Sequence, residues 1–360
     1  MYIKLNQTEL NKLIEVLNRK EENMAIASYL NDLCFSLDQF PSLTNDKDVK
    51  SFNLKCIDEF LDYFELDRDN EENIDIILRQ LEDVFHFVDI NDYEQNSYKL
   101  NVKPRESSLN GYKLHYLSYP VYSFFPLDDI RVNDKKEYLE KASIGIADKE
   151  YKYLTLSKNN NIWMCITPNE INTMLPHINK AKGNIVVFGL GLGYFAYMVS
   201  LKKEVKSITI IEKDKDIINL FNDNLFSYFP HQDKIKIINA DAFKFIEKDF
   251  LSSYDYAFFD LWHNAEDGLP LYLKIKSLPI VPPSSYWIEE SMICLYRRCL
   301  LTVIEESLNG YGDDDYRRSK NDIERVINDI YFKTKTKRFN NFEEINKFLS
   351  KESILELISK

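Results

Sequence analysis

The chain predicts an α/β fold, and three observations carry the prediction. Residues 185–188 are an apolar, β-branched run too short for a helix, which reads as a buried parallel strand. Three glycines at alternate positions follow, Gly189, Gly191 and Gly193, ahead of Tyr194 to Leu201, a run of helical character. A second apolar run, Ser207 to Ile211, then ends on an acid, Glu212. Glycines let backbone approach a ligand that a β-carbon would block, and a helix start offers free N–H groups. An acid at the tip of the second strand can accept both hydroxyls of a ribose. The unit therefore reads as half of a nucleoside pocket.

Composition narrows the classes. With 360 residues the chain is long for one core, so two or three domains are expected. Apolar residues at 44% and charged residues at 29% fit a globular protein, and no run is long enough for a transmembrane helix. The opening residues, MYIKLNQTELNKLIEVL, read as an amphipathic helix rather than a signal peptide, so a cytoplasmic protein is expected. The five cysteines are scattered without a C-x-x-C pair, and the few histidines are dispersed; reduced thiols are expected, and no metal site. A net charge of −12 argues against a nucleic-acid partner and is compatible with a cationic small molecule.

Taken in order, residues 1–108 read as a helical N-terminal domain. Leu10, Leu13, Ile14 and Leu17 fall at helical spacing behind Thr8, a candidate cap, and Ile74, Ile77, Leu78, Leu81, Phe85 and Val88 continue the pattern. The segment 38–46, with Pro41, reads as a break between helices. Residues 109–168 form a small β region, with strands expected over 112–117, 121–125, 151–155 and 162–167 and a hairpin turn at 157–161. Residues 169–290 hold the core. A helix over 169–180, capped by Thr167 or Asn169 and stopped at Gly183, leads into the first strand, and further strands are expected at 235–239 and 256–260. Residues 291–360 read as a C-terminal helical segment. There Asp313 to Arg318 is a solvated loop, and Asn341 to Glu344 looks like a capping box.

The glycine register alone leaves the nucleoside open. Read from Gly191 it is G-x-G-x-x-A ending on Ala196, with Glu212 at a dinucleotide distance; read from Gly189 it is G-x-G-x-G. The next two strands add acids at the same rim, Asp241 before Ala242 and Asp260 after the apolar Tyr256 to Phe259. In this order and spacing, the set resembles class I S-adenosylmethionine-dependent methyltransferases, and more closely their spermidine synthase-like branch, over roughly residues 165–265. In that branch the strand before the glycines is wholly apolar, as Val186-Val187-Phe188 is here, whereas many other methyltransferases carry an acid at the position of Val187. The resemblance implies a Rossmann-like methyltransferase core that binds S-adenosylmethionine. Gly189, Gly191 and Gly193 would pass the methionine portion, Glu212 would hold the ribose, and Asp241 with Ala242 would hold the adenine. Asp260 would face the substrate or the cofactor's amino group.

The chain also departs from that branch. Thr167-Pro168-Asn169-Glu170 only loosely echoes its tyrosine- and acid-bearing segment, and Leu261-Trp262-His263-Asn264 stands where it carries an acid or a proline. After residue 265 only 278–281 and 286–288 could add strands, so helices are expected to replace the far half of the sheet.

Asp260 and His263 are the candidate catalytic residues, an acid to orient a nucleophile and an imidazole suited to general-base work. Trp262, Glu266 and Asp267 are candidate substrate contacts. Each has a plainer alternative: Asp241 as a helix cap, Trp262 as packing, Glu266 and Asp267 as solvated loop acids. Methyl transfer to a small molecule, with amines among the acceptors, is the expected function. Alternatives are a spermidine synthase-like aminopropyl transfer, and a catalytically idle adenosyl sensor or scaffold. The helical flanks offer surfaces for a homodimer.

Overall fold

The structure, a computed structural model, describes residues 1–44, 48–317 and 319–359. Residues 45 and 46 of the expected break at 38–46, and Arg318 of the expected loop, lie outside the described residues.

The chain opens with β1 (Tyr2–Ile3) and a long helix, α1 (Gln7–Ser36). Asn6 caps it, not Thr8. Asn6 Oδ1 accepts from the Glu9 N–H and the Glu9 carboxylate accepts from the Asn6 N–H, both at 3.0 Å, a reciprocal box that leaves no role for Thr8. Helices α2 (Val49–Tyr63) and α3 (Glu71–Leu81) follow. The apolar stripe predicted to run as helix through Val88 stops earlier. Asp83 turns left-handed at φ 58°, and Phe85–Phe87 becomes strand β2, paired in parallel with Ile144–Ile146. Both periods place Leu81 and Phe85 inside, so the spacing alone could not tell where one gives way to the other. Two short helices follow, α4 (Ile90–Glu94) and α5 (Ser97–Asn101).

The β region is larger than its sequence suggests. It holds β3 (Ser107–Leu109), β4 (Tyr112–Tyr119), β5 (Phe124–Asn133), β6 (Leu139–Ile146), β7 (Tyr151–Lys158) and β8 (Asn161–Cys165). They form an antiparallel sheet in the order β3-β4-β7-β8 and a second sheet in the order β2-β6-β5. The strand expected from Val121 begins only at Phe124, because Tyr122 takes a left-handed φ of 58°. Asn159 and Asn160, at φ 51° and 67°, make the predicted hairpin turn in the left-handed conformation that asparagine tolerates.

Helix α6 (Pro168–Lys180) starts under a Thr167 cap with Pro168 in its first turn. It ends at Ala181, and Gly183 (φ 72°) opens strand β9 (Gly183–Phe188) instead of stopping the helix. Then come α7 (Tyr194–Ser200), β10 (Val205–Glu212), α8 (Lys215–Asn224), β11 (Ile235–Asn239), α9 (Lys248–Leu251) and β12 (Tyr256–Phe259). Helix α10 (Ala265–Lys276) and strand β13 (Ser284–Tyr286) complete this part. The five strands form one sheet in the order β11-β10-β9-β12-β13, every pair parallel. Residues 278–281 do not join it, and of 286–288 only Tyr286 does. The apolar runs alternate between two cores. Val186, Phe188, Ala257 and Phe259 face one, and Ile185, Val187, Tyr256 and Phe258 the other, as a sheet covered on both faces requires.

The remaining chain is mainly helical: α11 (Glu289–Leu308), α12 (Asp322–Thr334), α13 (Phe342–Phe348) and α14 (Lys351–Ile358). Between α12 and α13, β14 (Arg338–Phe339) pairs in parallel with β1, joining the two ends of the chain. Asn341 caps α13, its Oδ1 accepting from the Glu344 N–H at 2.9 Å. No helix among the described residues is long and apolar enough to cross a membrane.

Candidate functional site

The strand order reverses at β9, with β10 on one side and β12 on the other. In open parallel sheets the crevice outside the carboxyl ends of such strands receives ligands. Here it is a cavity of about 760 Å³. Its floor is the turn after β9, where Gly189, Gly191 and Gly193 have φ of 102°, 57° and 75°. The protein's own packing demands two of them. A Cβ on Gly189 would stand 1.9 Å from the Asp260 carbonyl oxygen, and one on Gly193 would meet the Phe221 ring at 2.5 Å. At Gly191 it would meet Met164 Sδ at 3.0 Å, within the cavity lining.

Glu212, the last residue of β10, is 8% exposed and lines the cavity. Its two oxygens accept separately, from the Leu190 N–H at 3.1 Å and from the Asp214 N–H at 2.8 Å. Burial raises its pKa, and those two N–H groups oppose the rise. A carboxylate has about four acceptor positions, so a cis-diol can still be gripped. Asp241 is exposed beyond β11 and caps the turn after it, Oδ1 accepting from the Phe243 N–H at 2.9 Å. Among the described residues its second oxygen makes no such contact, and Ala242 is buried beside it in the same lining.

Asp260 stands half-buried at the end of β12. Facing the same cavity is Glu170, half-buried in the first turn of α6. Among the described residues neither carboxylate accepts a hydrogen bond or makes an ion pair. Burial pushes Asp260 up to about 7, with the nearby imidazole of His263 drawing it down and Glu212 pushing it up. Glu170 is raised well above the carboxylate range by burial and then by the charge of Asp260. Glu170 was not among the sequence candidates. Its one signal was an acid in the first turn of the helix before the glycine strand, a place where acids usually serve the helix dipole.

His263 lines the cavity with Nδ1 2.7 Å from Asp267 Oδ2. Asp267 also accepts from the backbone N–H of His263 and Asn264, and these contacts hold its pKa low against burial. It is therefore an ionised acceptor, so Nδ1 carries a proton toward it and the ring is oriented with Nε2 turned away from Asp267. Asp267, expected as a substrate contact, lines the cavity with both of its oxygens accepting from His263 or from the start of α10. Glu266 does not line the cavity; it is an exposed first-turn acid of α10. Trp262 is 4% exposed and donates its indole N–H to the Trp287 carbonyl at 3.2 Å, so its side chain is packed into the cavity wall with its one polar atom already used.

The hairpin β7–β8 supplies a side of the cavity that the sequence did not suggest. Trp163 lies with its ring centroid 4.0 Å from that of His263, nearly edge-on. Lys158 Nζ donates to the Tyr112 hydroxyl at 2.8 Å and sits 5.2 Å from the Trp163 ring. Tyr112 in turn donates to Asp214 at 2.6 Å, just beyond Glu212.

Comparison with known proteins gives no family. No protein-family model matches the chain, and neither does any curated protein. Among solved structures, that of MnmC2 from Aquifex aeolicus aligns over 70% of this chain and 77% of its own, at 14% identity and a TM-score of 0.27. A likeness that slight carries no argument about function. What the site can do rests on its own geometry, a cleft with acids at the ends of β10, β11 and β12 in which, among the described residues, the carboxylates of Glu170 and Asp260 make no hydrogen bond or ion pair.

Proposed function

We propose that this chain is an S-adenosylmethionine-dependent methyltransferase acting on a small molecule, built on a Rossmann-like core over residues 169–290. The helical segment 1–108, the β region 109–168 and the helices of 291–360 enclose that core. One observation carries the reading: Glu212 presents a buried carboxylate to the cavity from the strand beside the glycine turn, fixed there by Leu190. The residues present fit the cofactor. Gly191 adds no side chain to the cavity floor beside Met164, Glu212 can accept the ribose hydroxyls, and Asp241 has one oxygen available for the adenine amine. When bound, S-adenosylmethionine supplies a methyl group activated by its sulfonium.

The chain's own contribution is alignment and exclusion of water. Trp163, Trp262 and Trp287 wall the far side of the cavity. His263, oriented by Asp267, offers Nε2 to a proton leaving the acceptor, and Asp260 orients the nucleophile. A second reading has specific support. Asp260, Glu170 and Glu212 make the cavity acidic, and an aminopropyl transfer to an amine from decarboxylated S-adenosylmethionine would use the same acids.

Isothermal titration with S-adenosylmethionine, its decarboxylated form, S-adenosylhomocysteine and NAD separates these readings. Methyl transfer expects the first and third to bind. Preference for the decarboxylated form promotes aminopropyl transfer, and binding of NAD alone overturns both.

A further inference from the structure

A second cavity, of about 380 Å³, opens between α5, the segment after it and strands β4 and β7. Its size lies within the range of small-molecule sites. Val102, Pro104 and Leu154 give it buried apolar walls. Three ammonium groups line it, those of Lys99, Lys103 and Lys152, against one carboxylate, that of Glu94. Lys99 is already committed: its Nζ pairs with Glu94 at 2.7 Å and donates to the Lys152 carbonyl at 2.5 Å. Lys103 and Lys152 are exposed, and among the described residues their ammonium groups make no hydrogen bond or ion pair. Lys152 Nζ stands 4.9 Å from the centre of the Tyr116 ring, and the Tyr116 hydroxyl donates to the Pro104 carbonyl at 3.3 Å. In a chain of net charge −12, two cations without an acid beside an apolar hollow run against the overall field.

The same cavity is lined by Tyr98, 1% exposed, whose hydroxyl donates to the Leu192 carbonyl at 2.6 Å. Leu192 lies between Gly191 and Gly193 and lines the main cavity. Each cavity therefore touches one end of the same hydrogen bond.

We propose that the second cavity binds a phosphate monoester with a planar or apolar body, and that its occupancy reaches the glycine turn through Tyr98. A phosphate monoester carries close to two negative charges at neutral pH, which matches two ammonium groups, and lysine serves it as a point charge. The body of the ligand covers Val102, Pro104, Leu154 and the Tyr116 ring. No covalent bond is made. The site stands apart from the nucleoside reading, since of its lining residues only the buried Ile166 also lines the main cavity.

The test is calorimetric. Wild-type protein is titrated with phenyl phosphate, with inorganic phosphate as the charge alone and with phenol as the ring alone. Phenyl phosphate is expected to bind at least roughly tenfold more tightly than either. Lys103→Gln and Lys152→Gln should each weaken it by roughly fivefold. Lys113→Gln, the same change of charge at an exposed lysine of β4 outside this cavity, should leave it unchanged. No binding, equal affinity for inorganic phosphate, or a loss as large in Lys113→Gln as in the other two overturns the site. The link is read by NMR with labelled glycine, since the chain has nine glycines. Phenyl phosphate should shift the amide resonances of Gly191 and Gly193, and Tyr98→Phe should abolish those shifts while keeping the binding. Shifts missing from the wild type, or persisting in Tyr98→Phe, overturn the link. Titration of S-adenosylhomocysteine remains the separate test of the nucleoside reading, and its failure leaves this site standing.

Discussion

Glu212 carries two loads, and they can be separated. Its oxygens satisfy the N–H groups of Leu190 and Asp214, and the same oxygens are offered to a ligand. Glu212→Ala should weaken S-adenosylhomocysteine by about 2 kcal/mol, roughly thirtyfold, and lower stability because two N–H groups lose their acceptor. Glu212→Gln keeps one carbonyl acceptor, so it should recover more of the stability than of the affinity. Calorimetry and urea melts on the two variants read the difference; equal recovery of both would show that the carboxylate has no ligand role. Asp260 gives a pH signature. Its pKa stands near 7 in the folded protein against an ordinary 3.8, so the folded state binds more protons within that window. Its contribution to stability is fully present below the ordinary value and is lost as pH rises through about 7. His177 acts in the opposite sense, since burial lowers its pKa from 6.5 to about 4 and its contribution is lost as pH falls between those values. Between about pH 4 and 6.5 the two slopes oppose each other, so together these groups should leave the melting temperature nearly level there, and Asp260→Asn should unmask a rise with pH across that range.

At the scale of the element, the turn after β9 is set by sterics before any ligand arrives. Gly189→Ala forces a Cβ into the Asp260 carbonyl at a φ of 102°, and at least about 3 kcal/mol of stability should be lost. Gly312→Ala is the control: its Cβ would meet nothing within 4 Å, and the change should be neutral or slightly stabilising in the same urea titration. The contrast explains which elements could be read beforehand. Strands β9 and β12 were legible within two residues because parallel strands covered on both faces are continuous apolar runs, and the edge strand β11 was legible from the isoleucines of Ile235–Asn239. Strand β5 was not, since Asp128, Asp129 and Arg131 interrupt its pattern while register shifts let the ladder run past them. Strand β6 escaped notice too, its polar residues Glu140 and Ser143 being buried by partners from elsewhere in the chain. The same divide holds at the site. Rim acids such as Glu212 and Asp241 follow from strand ends, whereas Glu170 and Trp163 enter the cavity from a helix and a hairpin whose placement no local pattern records.

Across the whole molecule, the parts are held by buried polar joints. Asn23 of α1 is 5% exposed and makes three contacts: Nδ2 donates to the Tyr138 carbonyl at 3.0 Å, and Oδ1 accepts from Gln80 at 3.1 Å and from the Glu140 N–H at 3.2 Å. Nearby, Lys20 reaches Glu305 on α11 at 2.8 Å, and Glu140 receives Arg298 of the same helix. The segment before α2, the sheet of β5 and β6, and α11 thus meet at one place, while β1 and β14 tie the chain ends some distance away in sequence. Removing Asn23 leaves a carbonyl and two donors buried without partners, so Asn23→Ala should cost about 2–4 kcal/mol. The form of the loss matters more than its size. If the helical amino-terminal segment were an independent unit, the variant would melt in two steps, with the sheet around β9 unaffected. Because the joint belongs to three segments at once, a single transition displaced as a whole is expected, with far-ultraviolet circular dichroism and tryptophan fluorescence coinciding. The reporters are well placed for this, since Trp163, Trp262 and Trp287 all lie around the cavity, far along the chain from Asn23. Fluorescence that held while helical signal fell would show that the cavity survives without the amino-terminal segment.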